Sequence, residues 1–116
     1  RDPAYTVFMD PPLGRVGLTE QAARDKNLDI KVAVLPAAAI PRARLMGETT
    51  GMLKAVVDAK TGTILGCALH CADAGEMINV VETAIRAGKD YTFLRDMIYT
   101  HPSMTEALND LLSKIK

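Results

Sequence analysis

Two groups of side chains in this sequence have types and spacings that could support chemistry. The first is a histidine and a glutamate five residues apart, His101 and Glu106. An imidazole has an ordinary pKa of about 6.5 and therefore suits proton transfer near neutrality, while a nearby carboxylate can orient the ring. The second group is Cys67, His70 and Cys71, whose sulphur and nitrogen atoms are candidate ligands for a zinc ion.

The histidine and glutamate also have a purely structural interpretation. Ser103 and Glu106 form an S-x-x-E pattern, which predicts a capping box in which Glu106 bonds back to the backbone of Ser103 at a helix start. From the residues alone we favour this cap for Glu106, and a satisfied surface or interface position for His101. A carboxylate has two oxygens, so Glu106 could partly serve both purposes.

The cysteines give a weak argument for a metal. On a strand, Cys67 and Cys71 would share a face about 13 Å apart by the rise per residue, which is too far for one zinc ion unless the chain bends. No fourth Cys or His is near in sequence, and isolated cysteines often act as small buried hydrophobes. We therefore expect no metal site. Two cysteines are also too few for a secreted disulphide scaffold.

Composition indicates one globular domain over residues 1–116. The chain is 48% hydrophobic, which allows a core of its own. Its 14 basic residues balance 14 acidic ones without long runs, so we expect no nucleic-acid partner. No apolar stretch approaches the roughly 20 residues of a membrane span, and the first residues lack the apolar core of a signal peptide. We therefore expect a cytoplasmic protein without a membrane partner. The start at Arg1, without an initiator Met, leads us to expect a longer parent protein.

Residue patterns predict strands first and helices later, which indicates an α+β domain with helices on one face of a mainly antiparallel sheet. Asp73 and Glu76 resemble a second capping box, at the start of the clearest helix. Thr19 is a plausible cap for the first helix, and residues 36–49 give no clear pattern. The predicted strands are 5–9, 29–35 and a hairpin of 52–58 with 63–70. The predicted helices are 20–26, 74–87, 91–96 and a last one after Pro102 that carries Leu108, Leu111, Leu112 and Ile115 on one face.

Three motifs in order resemble one enzyme family along nearly the whole chain. Residues 8–20, F-M-D-P-P-L-G-R-V-G-L-T-E, are similar to the opening of the dimerisation domain in the flavin-dependent pyridine nucleotide-disulphide oxidoreductases, which include glutathione reductase, lipoamide dehydrogenase and mercuric reductase. Residues 73–79, D-A-G-E-M-I-N, resemble the hairpin-to-helix junction of that domain. Residues 101–106, H-P-S-M-T-E, resemble its closing H-P-x-x-x-E signature.

The resemblance implies a role for the closing motif that reverses our preference for Glu106. In the family, each active site is completed by the closing segment of the other subunit, so His101 would be the acid/base for thiol-disulphide exchange and Glu106 would hold its ring. His101 and Pro102 would contact the flavin of the partner subunit. FAD and NAD(P) would be bound by other domains of the same chain, and none is expected on this segment. The redox cysteine pair would also lie there, so it is not Cys67 and Cys71.

The resemblance further implies a homodimer formed through the face that contains the last helix, and cis bonds at Asp10-Pro11 and His101-Pro102. The subclass stays open. Lipoamide dehydrogenases commonly have a second His where Tyr99 stands, and typical mercuric reductases lack the His-Glu pair, so the nearest group is mercuric-reductase-like. The substrate and the choice between NADH and NADPH are not readable here. The alternative to a dimerisation domain is a stand-alone α+β module that offers its apolar helix face to another protein.

Overall fold

The computed structural model describes residues 3–116, which form five strands and five helices. A short 3₁₀ turn over Ala37–Ala39 lies between the third strand and the second helix. The strands are β1 (Tyr5–Val7), β2 (Leu13–Gly17), β3 (Ile30–Pro36), β4 (Met52–Asp58) and β5 (Ile64–His70). The helices are α1 (Glu20–Asp25), α2 (Pro41–Met46), α3 (Ala74–Arg86), α4 (Tyr91–Arg95) and α5 (Ala107–Leu112).

The five strands form one sheet in the order β1-β2-β5-β4-β3, and every neighbouring pair is antiparallel. Successive side chains of a strand point to opposite faces. Leu53, Ala55 and Val57 of β4 are buried on one face of the sheet, where α5 contacts β3 and β4. Helix α3 contacts β2 and β5, and α4 packs against α3 and α5. The predicted α+β class, with an antiparallel sheet and helices on one face, is therefore confirmed.

The predicted hairpin is confirmed as β4 and β5. Its turn is closed by Asp58, whose carboxylate accepts hydrogen bonds from the backbone N–H groups of Lys60 at 2.9 Å and Thr61 at 2.8 Å. These bonds hold the pKa of the Asp58 carboxyl below its ordinary value. A β-bulge between Val56 and Val57 shifts the register near the turn. The sequence therefore determines both the turn and the pairing of β4 with β5.

The beginning of the chain differs from the prediction. The first strand ends at Val7 instead of Met9, and a second strand, β2, follows the two prolines where no strand was predicted. Gly14 in β2 packs so closely under α3 that a Cβ atom there would be 2.7 Å from the carbonyl oxygen of Ala74. Local propensity does not favour a strand with two glycines, so tertiary packing decides this element.

Two helix starts also test the sequence rules. Thr19 caps α1 as predicted, because its hydroxyl accepts the N–H of Ala22 at 2.9 Å. The box predicted at Asp73 and Glu76 is wrong: Asp73 has a φ of 61° and its side chain makes no capping bond. The left-handed backbone at Asp73 forms the turn from β5 into α3, and its carbonyl instead accepts the N–H groups of Glu76 and Met77.

Helix α3 itself is confirmed, ending at Arg86 against a prediction of 87, and α4 ends at Arg95 against 96. The unassigned stretch before β4 contains α2, whose Ala43 is buried together with Ile40 at its start. No helix within residues 3–116 is long and apolar enough to cross a membrane. Both peptide bonds predicted to be cis, Asp10-Pro11 and His101-Pro102, are cis.

Candidate functional site

The C-terminal segment is fixed to the domain by its apolar side chains. Met104 and Ala107 are buried just before and at the start of α5, and Leu108, Leu111 and Leu112 continue this buried face onto the sheet. Burying a leucine side chain contributes about 1.5–3 kcal/mol. These buried side chains hold the turn of residues 103–106 against the rest of the domain. The polar side chains of the turn lie at the surface.

His101 and Glu106 are brought together by this turn. The Nδ1 atom of His101 lies 2.8 Å from Oε1 and 2.9 Å from Oε2 of Glu106. The glutamate side chain is 20% exposed and the imidazole 67% exposed. The Glu106 carboxylate is therefore mostly buried. The His101 ring that is bonded to it has most of its surface exposed to solvent.

The capping box forms as well. The backbone N–H of Ser103 donates to Oε2 of Glu106 at 2.7 Å, and the N–H of Glu106 donates to the hydroxyl of Ser103 at 3.2 Å. The Ser103 hydroxyl donates in turn to the carbonyl of Thr100 at 2.7 Å. The two interpretations of Glu106 are therefore not exclusive, because one carboxylate accepts from both the backbone and the imidazole.

The electrostatics of the pair fix the direction of its hydrogen bond. The bond to His101 and the N–H of Ser103 together hold the pKa of the Glu106 carboxyl below its ordinary value, against a smaller opposing effect of burial. A carboxylate ionised at neutral pH can only accept hydrogen bonds. Nδ1 of a neutral His101 must then carry the proton, which leaves the lone pair on Nε2.

The free nitrogen of this imidazole is the group that could do chemistry. Within residues 3–116, no hydrogen bond is made to Nε2 of His101. An exposed Nε2 with a lone pair can take a proton from an incoming thiol and return it, as a general acid/base does. The imidazole is mostly exposed, so a reacting group on another surface could approach it. Pro102, next to the imidazole, is exposed too.

The cysteines are not part of this site. Cys67 lies in β5 and Cys71 just after its end; both are buried and free. Burial raises the pKa of each thiol to about 12, so neither is a reactive thiolate at neutral pH. The Cys71 sulphur lies 3.8 Å from the sulphur of Met77 in the core. Over residues 3–116 the structure contains no group of three or more His, Cys, Asp or Glu side chains placed to hold a metal ion.

Two polar residues next to the site were missed by the sequence reasoning. Asn109 in α5 and Tyr99 in the preceding loop each bond to backbone carbonyls near α4. For Asn109 the sequence did contain a signal, because it lies in the middle of a predicted helix. Asparagine is unfavourable there and often has a tertiary partner.

The domain is thus an antiparallel sheet covered by helices, and its C-terminal turn carries the hydrogen-bonded pair of His101 and Glu106. The family model described as "Pyridine nucleotide-disulphide oxidoreductase, dimerisation domain" matches residues 3–112. The chain therefore belongs to the dimerisation-domain family of the pyridine nucleotide-disulphide oxidoreductases, as the three motifs predicted.

Similar proteins agree with this assignment. The chain is 58% identical over 112 residues to the probable pyridine nucleotide-disulphide oxidoreductase RclA of Escherichia coli, covering 97% of this chain and 25% of that protein. It is 40% identical over 102 residues to a mercuric reductase of Bacillus cereus, covering 88% of this chain and 16% of that protein. The solved structure of the HOCl-induced flavoprotein disulphide reductase RclA from Escherichia coli matches with a TM-score of 0.97 at 56% identity, covering all of this chain and 27% of that one. The chain thus spans about a quarter or less of these relatives.

Proposed function

We propose that this domain pairs two subunits of a flavin-dependent NAD(P)-disulphide oxidoreductase and supplies His101 and Glu106 to the redox-disulphide site of the partner subunit. The observation that carries the proposal is the bond from Nδ1 of His101 to Glu106 at 2.8 Å, which leaves an exposed Nε2 as the proton acceptor. Because the redox disulphide and the flavin would lie on the partner subunit, the domain is expected to be inactive alone.

In this proposal His101 acts at one step of the reaction. Thiol-disulphide exchange proceeds by attack of a thiolate, so a base that removes a thiol proton accelerates it. Nε2 of His101 takes that proton and later returns it to a departing thiolate. Glu106 holds the ring through Nδ1 and stabilises the imidazolium that forms while the proton is on the ring.

The cofactors of the proposed enzyme, FAD and NAD(P), are assigned to other domains of the same chain. The bound flavin would transfer electrons between the nicotinamide and the redox disulphide. Within this domain, His101 and Pro102 are the exposed residues that fit a contact with the flavin of the partner subunit. A proline has no N–H to donate and an exposed imidazole has one free nitrogen, so these residues fit a contact at the edge of a bound group and not a binding site for it.

Homodimerisation is proposed through the surface that contains the C-terminal segment. Three large apolar side chains are exposed there, Phe93, Met97 and Ile98, and Ile98 is 97% exposed. Exposed large apolar side chains within six residues of the chain favour a protein interface there. By contrast, the apolar face of α5 is buried in the core of its own domain, so it is not the surface that a stand-alone interaction module would offer. Light scattering of the 116-residue chain should show a dimer at high concentration, and a strictly monomeric species would count against pairing through this domain.

The experiment that tests the proposed function uses His101→Ala in the full-length enzyme. We expect thiol-disulphide exchange to slow by about 10²- to 10⁴-fold, the usual contribution of a general acid/base, while reduction of the flavin by the nicotinamide is nearly unchanged. Rapid-mixing kinetics can follow the two steps separately. Equal losses in both steps, or no loss in exchange, would remove His101 from the mechanism.

A further inference from the structure

His101 is carried by a loop that has little regular structure of its own. Residues 96–102 connect the end of α4 to the turn at Ser103 and belong to no helix or strand. Ile98 of this loop is almost fully exposed, and Tyr99 is partly buried against the core. Most other side chains of the loop are exposed, so hydrogen bonds from side chains to its backbone help to hold its conformation. These bonds therefore contribute to the position of His101.

One side chain supplies two of them. The Nδ2 atom of Asn109 donates to the carbonyl oxygen of Arg95 at 2.8 Å and to that of Met97 at 2.8 Å. An amide NH₂ group has two protons, so both are used. Arg95 is the last residue of α4 and Met97 lies in the loop, so this amide connects α5 to the start of the loop that presents His101.

The position of Asn109 in α5 relates it directly to the acid/base pair. It lies three residues after Glu106, and residues three apart on a helix are neighbours on one face. Its backbone N–H also bonds to the carbonyl of Glu106 at 3.0 Å. The carboxylate that holds the imidazole and the amide that holds the loop thus come from one turn of the chain.

A second anchor acts on the same loop from within it. The hydroxyl of Tyr99 donates to the carbonyl of Leu94 in α4 at 2.9 Å. Burial raises the pKa of this hydroxyl to about 12, so it stays protonated and can donate at any pH where the enzyme works. Asn109 therefore bonds the loop to α5, and Tyr99, in the middle of the loop, bonds it to α4.

The contacts of the Asn109 side chain support a specific role. Asn109 is the third residue of α5 and lies in its first turn. Both protons of its amide are used on carbonyls that lie 14 and 12 residues earlier in the chain. The side chain thus serves tertiary contacts with the loop and not the helix itself.

We propose that Asn109 is a positioning residue for His101, which fixes the carbonyls of Arg95 and Met97 so that the imidazole stays within hydrogen-bonding distance of Glu106. The proposal rests on the proposed function for its kinetic consequence. Its structural consequence, the bond between Nδ1 and the carboxylate, can be measured in the 116-residue chain independently of any activity.

The first test measures the protonated nitrogen of His101 by long-range ¹H–¹⁵N spectra at about pH 8.5, above the ordinary imidazole range. The native chain should show the proton on Nδ1. Glu106→Ala removes the acceptor, so His101 should become a mixture of the two tautomers. This shift in the tautomer populations is the reference for the full change. We expect Asn109→Ala to produce at least half of that change. Asn79→Ala is the matched control, because Asn79 is exposed in the middle of α3 and its side chain makes no hydrogen bond within residues 3–116.

The second test measures both reaction steps in the full-length enzyme. Misplacement of a catalytic group by about 1 Å can cost up to about 10²-fold in rate, so we expect Asn109→Ala to slow exchange by about 10- to 100-fold without changing flavin reduction. Asn109→Gln retains the amide donors on a longer side chain and should restore part of the rate. If Asn109→Ala fails to fold, the same comparisons are made with Asn109→Asp, which keeps the size but loses both donors.

The two proposals fail in different ways. If the folded Asn109 variant keeps both the native tautomer and the native exchange rate, as Asn79→Ala should, Asn109 is not a positioning residue. If His101→Ala does not slow exchange, the proposed function is wrong, but the tautomer measurement still decides whether Asn109 holds the imidazole on Glu106.

Discussion

The double role of Glu106 predicts that its two possible replacements have different consequences for stability. Glu106→Ala removes the acceptor of the Ser103 N–H bond at 2.7 Å and the partner of the His101 ring. A capping bond of this kind contributes about 1 kcal/mol, and a hydrogen bond to a mostly exposed imidazole contributes about 0.5 kcal/mol. We therefore expect Glu106→Ala to lower the free energy of unfolding by about 1.5 kcal/mol.

Glu106→Gln should cost less, because a glutamine can also accept the Ser103 N–H at this position of a capping box. We expect a loss of about 0.5 kcal/mol or less. With a urea dependence of about 2 kcal/mol per molar, the alanine variant should unfold at a urea concentration about 0.7 M lower, and the glutamine variant at about 0.2 M lower. Glu76→Ala is the matched control: Glu76 stands three residues after Asp73, where the predicted box does not form, so its loss should be no more than about 0.5 kcal/mol.

Glu106 also makes the free energy of unfolding depend on pH, and the direction of this dependence can be predicted. Its pKa in the folded chain is lowered from the ordinary 4.5, first by the bond to His101 and then by that to Ser103. A lowered folded-state pKa means that the stabilisation is fully present above the ordinary value and is lost as the pH falls through the folded value. Urea unfolding at neutral and acidic pH should therefore show the native chain and Glu106→Gln converging in acid. A constant difference across this range, or equal losses for Glu106→Ala and Glu76→Ala, would refute the double role.

Three further predictions follow from packing. Gly66→Ala should prevent stable folding or lower the free energy of unfolding by at least about 3 kcal/mol, because its Cβ atom would overlap the carbonyl oxygen of Leu18. Gly47 has open space around it but a φ of 72°. Gly47→Ala should therefore cost only about 1 kcal/mol, measured by thermal unfolding. Cys67 and Cys71, whose pKa values burial raises to about 12, should react with a thiol reagent at neutral pH only after urea unfolds the chain; fast labelling of the folded chain would contradict their burial. Leu111→Ala should destabilise the chain by about 2–5 kcal/mol, while Ile98→Ala, at an exposed position, should leave the unfolding of the dilute chain nearly unchanged.

Much of the fold was predictable from local signals. The hairpin of β4 and β5 follows from two β-rich runs around a Lys-Thr-Gly turn, and α3 follows from apolar residues at helical spacing. The β2 strand was not predictable, because it depends on close packing of Gly14 under α3. The Asp73 box failed for a similar reason: the turn from β5 into α3 requires a left-handed backbone at Asp73, which a sequence pattern does not reveal.

The site was predictable in its members but not in its geometry. Residue spacing alone offered two roles for Glu106, and it favoured the cap until the resemblance to a family was considered. In the structure both contacts form at once, because the two carboxylate oxygens lie between a backbone N–H and an imidazole. The place of Asn109 within a predicted helix was a signal, but its partners at Arg95 and Met97 could not be found from sequence. They become its neighbours only after α4 packs against α5.

The central claim is that His101 of one subunit serves the redox disulphide of the other. It predicts complementation between two variants of the full-length enzyme that are each defective in exchange as homodimers. One variant carries His101→Ala, and the other carries serine in place of a redox cysteine in its flavin domain. In a mixed dimer, the intact cysteines of the first subunit would face the intact His101 of the second.

The most direct measurement is therefore the exchange rate of purified mixed dimers, isolated with two different affinity tags. The account predicts that about half of the native activity per dimer returns, because one complete site is restored. Mixed dimers as inactive as the two parent homodimers would show that His101 does not act across the subunit interface, and would contradict the account.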